Sequence, residues 1–163
     1  TFLSTIISQQ ISTSAATAIT TRVRRLMPEC SAASLEKISN TELRQAGLSF
    51  RKIEYARGLA AAILAGRFNP KSLSTVDDEE AISQITSLRG FGQWSAEIYL
   101  MFSLGRTDIF PADDLALQVA LGRLKGLKER PTASLARQLV SHWSPWRSAG
   151  AIFLWHYYKE TPG

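Results

Sequence analysis

Residues 88–96 read LRGFGQWSA, and the fold turns on what the Gly90-Phe91-Gly92 triplet joins. Helical apolar spacing runs up to about Ser87 on one side and on to about Leu104 on the other, so the triplet links two helices. Glycine tolerates positive φ, which permits a tight turn. It also leaves backbone N–H groups bare at a helix N-terminus, a concavity suited to a phosphate. The same glycines serve an ordinary αα-hairpin equally well. A dinucleotide-binding fingerprint fails here, because Ser95 stands where the third glycine belongs and no strand precedes the turn.

Outward from this turn, strand signals are nearly absent and punctuated helices recur. Residues 1–9 read as a helix ending at SQQIS. Residues 13–27 align Ile19, Val23, Leu26 and Met27 until Pro28 stops the run. Ser39-x-x-Glu42 has capping-box spacing for a short helix closed by Gly47. Ser49 caps a helix whose Phe50, Ile53, Leu59, Ile63 and Leu64 share one side and which Gly66 ends. FNPKSLST is a loop, and Asp77 with Glu80 repeats the capping-box spacing. A further helix follows PADD (111–114), Pro131 falls near the first turn of the next, and Pro145 opens the last. The expectation is an all-α, compact multi-helix bundle forming one domain over 1–163, with the hairpin motif at about 77–104.

Composition narrows the chemistry. The chain has 163 residues, 45% of them hydrophobic, and a formal net charge of +5, a balance that favours an anionic partner, nucleic acid first. One cysteine, Cys30, excludes an internal disulfide and any four-cysteine zinc or iron–sulfur site. His142 and His156 are the only histidines and read as packed or surface residues. No apolar run approaches the roughly 20 residues that span a bilayer. The opening TFLSTIISQQ starts mid-pattern, so the sequence reads as a piece of a longer protein.

Asp113 and Asp114 form an adjacent acidic pair in a basic chain, at a helix start. Side-by-side carboxylates repel, so something there favours negative charge: a helix N-terminus, or a reaction that builds positive charge. Plain capping accounts for such a pair in general, and the local pattern leaves both uses open for either acid.

The helix, L-x-G-x-G-x-W-S-A, second helix, and aspartate at 114 together resemble the helix-hairpin-helix (HhH-GPD) DNA glycosylase superfamily, most of all its DNA-3-methyladenine glycosylase II (alkylated-base) branch. IISQQIS, GLSFRKIEYARGLA, LRGFGQWSAEIYL, DIFPADDLAL and WSPWRSAGAIFLW carry the likeness over nearly the whole chain. The β-rich N-terminal lobe of many bacterial members has no counterpart in it.

The resemblance implies the fold of that superfamily, with an active-site cleft between two helical lobes, and a division of labour. Gly90, Phe91, Gly92 and Gln93 form the DNA-binding hairpin, holding phosphates without regard to sequence. A Na+ or K+ ion sits on hairpin carbonyls, those of Thr86, Leu88 and Phe91, and no other cofactor is required. Gln10 is the wedge that fills the space left by a flipped nucleotide, with Ile11 its neighbour; a polar helix end explains Gln9 and Gln10 equally well. Asp114 aligns with the essential carboxylate, which stabilises an oxocarbenium-like sugar and orients water, and beside it Asp113 reads as the helix N-cap. Trp94, Trp155 and Tyr99 line the base pocket, although aromatics at helical spacing also build cores. An aromatic cleft attracts purines made cationic by alkylation.

Glycosylases of this superfamily that also cut the backbone use a lysine where this chain has Trp94. No other lysine lies between Gln84 and Gly122. The implied enzyme is a monofunctional hydrolase of the N-glycosidic bond, removing alkylated purines of the 3-methyladenine and 7-methylguanine type in base excision repair. Its partner is double-stranded DNA containing alkylated bases, with no membrane. A monomer is expected, in the cytoplasm or nucleoid of a bacterium or the nucleus of a eukaryote. The alternative is a non-catalytic helix-hairpin-helix DNA-binding module, for which an anion facing DNA has no use.

Overall fold

The computed structural model describes residues 1–160, which contain ten α-helices and no strand. The all-α expectation holds. The chain falls into two compact units, Thr1–Phe91 and the residues from Gly92 onward.

The first unit contains α1 (Phe2–Ser8), α2 (Thr13–Leu26), α3 (Ala32–Lys37), α4 (Asn40–Gln45), α5 (Phe50–Leu64) and α6 (Asp78–Thr86). Hydroxyl and carboxylate caps set most of the starts. Ser12, Ser31, Ser49 and Asp77 each accept a backbone N–H three residues on. The Ser39–Glu42 capping box is complete, and its hydrogen bonds hold the Glu42 carboxyl below its usual range. Glu80 instead accepts from Gln84, so Asp77 caps α6 without the reciprocal bond. Helix α3 was not legible in the apolar pattern; six residues are too few for a period, and Ser31 is its only signal. The FNPKSLST loop holds a 3-10 turn at Ser72–Ser74.

Helices α1, α3 and α4 pack on α5, around a core that includes Ile7, Val23, Met27, Leu35, Leu43, Leu48 and Ile53. Three residues expected on apolar faces are exposed, Leu26 among them. Phe50 is 74% exposed beneath the Arg44 guanidinium, 4.3 Å from its ring centroid, and Leu64 is also exposed. Long cations tie helix ends together by donating to carbonyls at or just past the last turn of a helix. Arg57 donates to the carbonyls of Leu35 and Ile38, and Lys52 Nζ donates to that of Ile7 at 2.7 Å. Burial pushes the Lys52 ammonium below its usual range.

The second unit contains α7 (Gln93–Ser103), α8 (Leu115–Leu124), α9 (Ala133–Leu139) and α10 (Arg147–Glu160). Leu100, Leu117, Leu121, Val140 and Leu154 are fully buried, and α8 packs chiefly on α10. Thr132 caps α9, so Pro131 stands before the helix rather than in its first turn. There its ring occupies the space beside Gly122, 3.1 Å from where a Cβ would project. Pro145, preceded by a cis peptide bond, stands two residues before α10. The start of α10 is anchored by Asp108, which accepts from Arg147 Nε at 2.6 Å and Nη2 at 2.8 Å, and from Ser144 Oγ. The Arg147 hydrogen bond draws the Asp108 carboxyl down to about 2. Gly150 admits the Trp143 ring, which a Cβ would meet at 2.3 Å, and Trp143 also meets the edge of Phe110. Trp143 is therefore packing.

Candidate active site

The turn before α8 is rigid for local reasons. Asp114 N–H donates to the Pro111 carbonyl at 2.9 Å, and the buried Gln118 side chain donates to the Ala112 carbonyl at 2.7 Å. Asp114, not Asp113, is the N-cap of α8: its Oδ1 accepts from Leu117 N–H at 3.0 Å. The reading of Asp113 as the cap is thus corrected. The backbone leaves Asp113 one residue too early to reach the N3 amide, and its Oδ2 pairs with Arg137 Nη2 at 3.1 Å instead.

Two tryptophans complete the shell of Asp114. Trp94 Nε1 donates to Oδ2 at 3.0 Å, and Trp155 Nε1 donates to Oδ1 at 3.2 Å. With the cap amide, three neutral N–H donors converge on one half-buried carboxylate at a helix N-terminus. Such an arrangement fixes the anion in direction without cancelling its charge. Trp94 comes from the first turn of α7 and Trp155 from α10, so residues 20 and 41 positions away in sequence meet at Asp114. Trp94 remains 42% exposed, which leaves ring surface open for stacking. The exposed Phe102 ring stacks on Trp155, with centroids 5.9 Å apart and planes inclined by 30°. Tyr99, five residues beyond Trp94, sits about 140° round α7 from it. It is half-buried, and burial raises its phenol above the usual value.

In the first unit, Gly90 has φ +94°, and a Cβ there would lie 2.4 Å from the Tyr55 ring, so glycine is required twice over. The Phe91 side chain is buried and meets Phe2 edge-on at 5.5 Å, so only its backbone is available to a ligand. Gln9 Nε2 donates to the Gly90 carbonyl at 2.7 Å, fastening the end of α1 to the turn. Gln10, next along, is exposed with φ +56°, and Ile11 is exposed as well. A non-glycine residue held at positive φ is strained, and such strain clusters at functional sites. Gly92, which opens the second unit, has open space where a Cβ would be. It starts α7 with no side-chain cap, so the first amides of that helix are left for another acceptor. The Gln93 side chain turns inward and donates to Glu97 Oε1 at 2.9 Å, which leaves its backbone amide as its contribution to the turn.

A family model described as "HhH-GPD superfamily base excision DNA repair protein" matches residues 3–145. The chain belongs to the HhH-GPD superfamily. It is 32% identical over 92% of its length to DNA-3-methyladenine glycosylase 1 of Schizosaccharomyces pombe, of which it spans 68%. It spans 42% and 40% of two Bacillus subtilis relatives. Its structure is similar to that of a DNA-3-methyladenine glycosidase from Bacillus halodurans (TM-score 0.88, 34% identity, covering 96% of this chain and 73% of that one). It is also similar to Schizosaccharomyces pombe Mag1, solved in complex with abasic DNA (TM-score 0.81, 29% identity, covering 94% and 76%).

For this HhH-GPD chain, sequence reasoning named Asp114, Trp94 and Trp155 separately, and the fold brings them within hydrogen-bonding distance. It missed the ties that hold them. In sequence Gln9 reads only as a helix end, and nothing in the local pattern of Gln118 and Arg137 distinguishes them from residues on any helix face.

Proposed function

We propose that this HhH-GPD chain is a monofunctional DNA glycosylase that hydrolyses the N-glycosidic bond of alkylated purines and leaves an abasic site. One observation carries the reading: both indoles donate to the carboxylate of Asp114. The flipped, alkylated base is positively charged and stacks against the exposed ring of Trp94. As the bond to that base lengthens, positive charge builds on the sugar, and the fixed carboxylate of Asp114 stabilises it and orients the attacking water. The base leaves readily because it is already cationic, so no separate general acid is needed.

The hairpin supports a sequence-blind grip on DNA. Its uncapped amides at Gly92–Gln93 suit a phosphate, and the missing Cβ of Gly92 lets a backbone approach closely. Thr86 lies in the last turn of α6, where carbonyls lack helical partners. With the Leu88 and Phe91 carbonyls it suits a Na+ or K+ ion that would add positive charge beside the phosphates. Gln10, held at positive φ by the turn that Gln9 fastens to Gly90, is the residue to fill the gap in the duplex. A protein with this task works where the DNA is, in a nucleoid or nucleus. Among the described residues no helix is long and apolar enough to cross a membrane.

Trp94 stands where lyase members of the superfamily use lysine, and an indole forms no Schiff base. Incubation with methylated DNA therefore yields sites that break only after alkali. A covalent protein–DNA adduct trapped by borohydride would show lyase chemistry, and the absence of alkali-labile sites would refute the enzyme.

A further inference from the structure

A second ligature runs beside the Trp94–Asp114 hydrogen bond. Arg137, near the end of α9, donates through Nη1 to Glu97 Oε1 at 3.1 Å and through Nη2 to Asp113 Oδ2 at 3.1 Å. Glu97 lies three residues beyond Trp94 on α7, so the two occupy one face of that helix. Asp113 is the residue next to Asp114. The same two elements are therefore joined twice, once by Trp94 to Asp114 and once by Glu97 through Arg137 to Asp113.

The second link is built from a buried group. Glu97 is 3% exposed and its Oε2 has no hydrogen-bond partner, while Gln93 also donates to its Oε1. Burial raises the Glu97 carboxyl above its usual range, with Gln93 and Arg137 opposing that shift. A carboxylate taken out of water is tolerated when paired, so the fold holds Arg137 in place to meet it. The planar guanidinium offers the two acids donors on separate nitrogens in a fixed fork, whereas an ammonium carries its three donors on one nitrogen.

We propose that Arg137 is a positioning residue for the reacting carboxylate. It sets the spacing of α7 against the turn before α8, so that the Trp94 indole reaches Asp114 Oδ2. It also pairs with Asp113 Oδ2, whereas Asp114 meets only neutral N–H donors. The role of Asp114 in this statement rests on the glycosylase reading above; the geometric role of Arg137 does not.

The test uses the whole chain, labelled with 15N, and the side-chain indole N–H resonances of its tryptophans, with Trp94→Phe to assign the one in question. In Arg137→Gln the Trp94 indole resonance moves toward that of a water-exposed indole. Single-turnover excision from methylated DNA falls roughly tenfold to a hundredfold, the scale of a misplaced reacting group, while affinity for that DNA stays within about twofold. Asp113→Ala, at a half-exposed position, breaks the same ligature from the other end. It has a similar effect, and the double variant is no worse than the worse single one, as expected of a shared interaction. Additive losses, an unmoved Trp94 resonance, or equal losses of excision and binding would overturn the proposal. If the wild-type chain excises nothing, the glycosylase reading fails, and the indole resonance still decides the placement of Arg137.

Discussion

Replacing Asp114 by Asn removes one charge and also turns one acceptor oxygen into a donor. The carboxylate takes two N–H groups on Oδ1, from Leu117 and Trp155, and one on Oδ2, from Trp94. An amide has one oxygen, so either orientation sets its NH2 against an indole or the cap amide. The less costly orientation keeps the oxygen on Leu117 and Trp155 and turns the NH2 toward Trp94. The cap survives, since Asn caps a helix about as well as Asp. The Trp94 hydrogen bond is lost, but this indole is 42% exposed and finds water, which limits the loss to about 1 kcal/mol. For a chain of this length that lowers Tm by roughly 2–4 °C. The loss in the transition state is larger. Deleting one preorganised electrostatic group costs about a hundredfold to a thousandfold in rate, or roughly 3–4 kcal/mol. Single-turnover excision from methylated DNA, paired with a melting curve and an affinity measurement, separates the two effects. Excision falls by at least about a hundredfold, Tm by a few degrees, and affinity for damaged DNA holds or rises because an anion near the phosphates is gone. An excision rate within a few-fold of wild type would refute the role of Asp114 and leave it as a helix cap.

The two glycines of the hairpin separate structure from binding. Gly90→Ala combines a positive φ with a Cβ 2.4 Å from the Tyr55 ring and destabilises the fold by about 2–5 kcal/mol, read as a fall in denaturation midpoint. Gly92→Ala meets open space at an ordinary φ; it leaves the midpoint nearly unchanged and weakens binding to undamaged DNA, as measured by fluorescence anisotropy. Binding of the wild-type chain weakens steeply with salt because phosphate contacts release counterions, and a flat dependence between low and physiological salt would contradict the clamp. Asp108 supplies a pH test. Its carboxyl lies at about 2 in the folded chain against 3.8 ordinarily, so its contribution is complete above about pH 4 and is lost as pH falls toward 2. Asp108→Asn lowers Tm at neutral pH and flattens its acid dependence over that window; an unchanged acid slope would show that the Arg147 pair contributes little.

Helices, caps and the hairpin were legible in the sequence because their causes are local. Apolar spacing, a hydroxyl three residues before an amide, and a glycine where φ turns positive act within a few residues, as at Ser39–Glu42, Ser49 and Gly90. Helix α3 escaped, because its six residues carry no period and no capping box marks its start as one marks that of α4. Asp114 was identifiable through its distance from the hairpin and the family likeness, but its geometry was not. Asp113 and Asp114 are equivalent in a local reading, and only the path of the turn from Pro111 decides which oxygen reaches the Leu117 amide. The partners of each acid arrive from α7, α9 and α10, carried there by helix packing that depends on the buried Leu100, Leu117, Leu121 and Leu154 together. Tertiary structure alone therefore gave Asp114 its two indoles and Asp113 its arginine, since side chains 20 to 41 residues away meet only once the core is assembled.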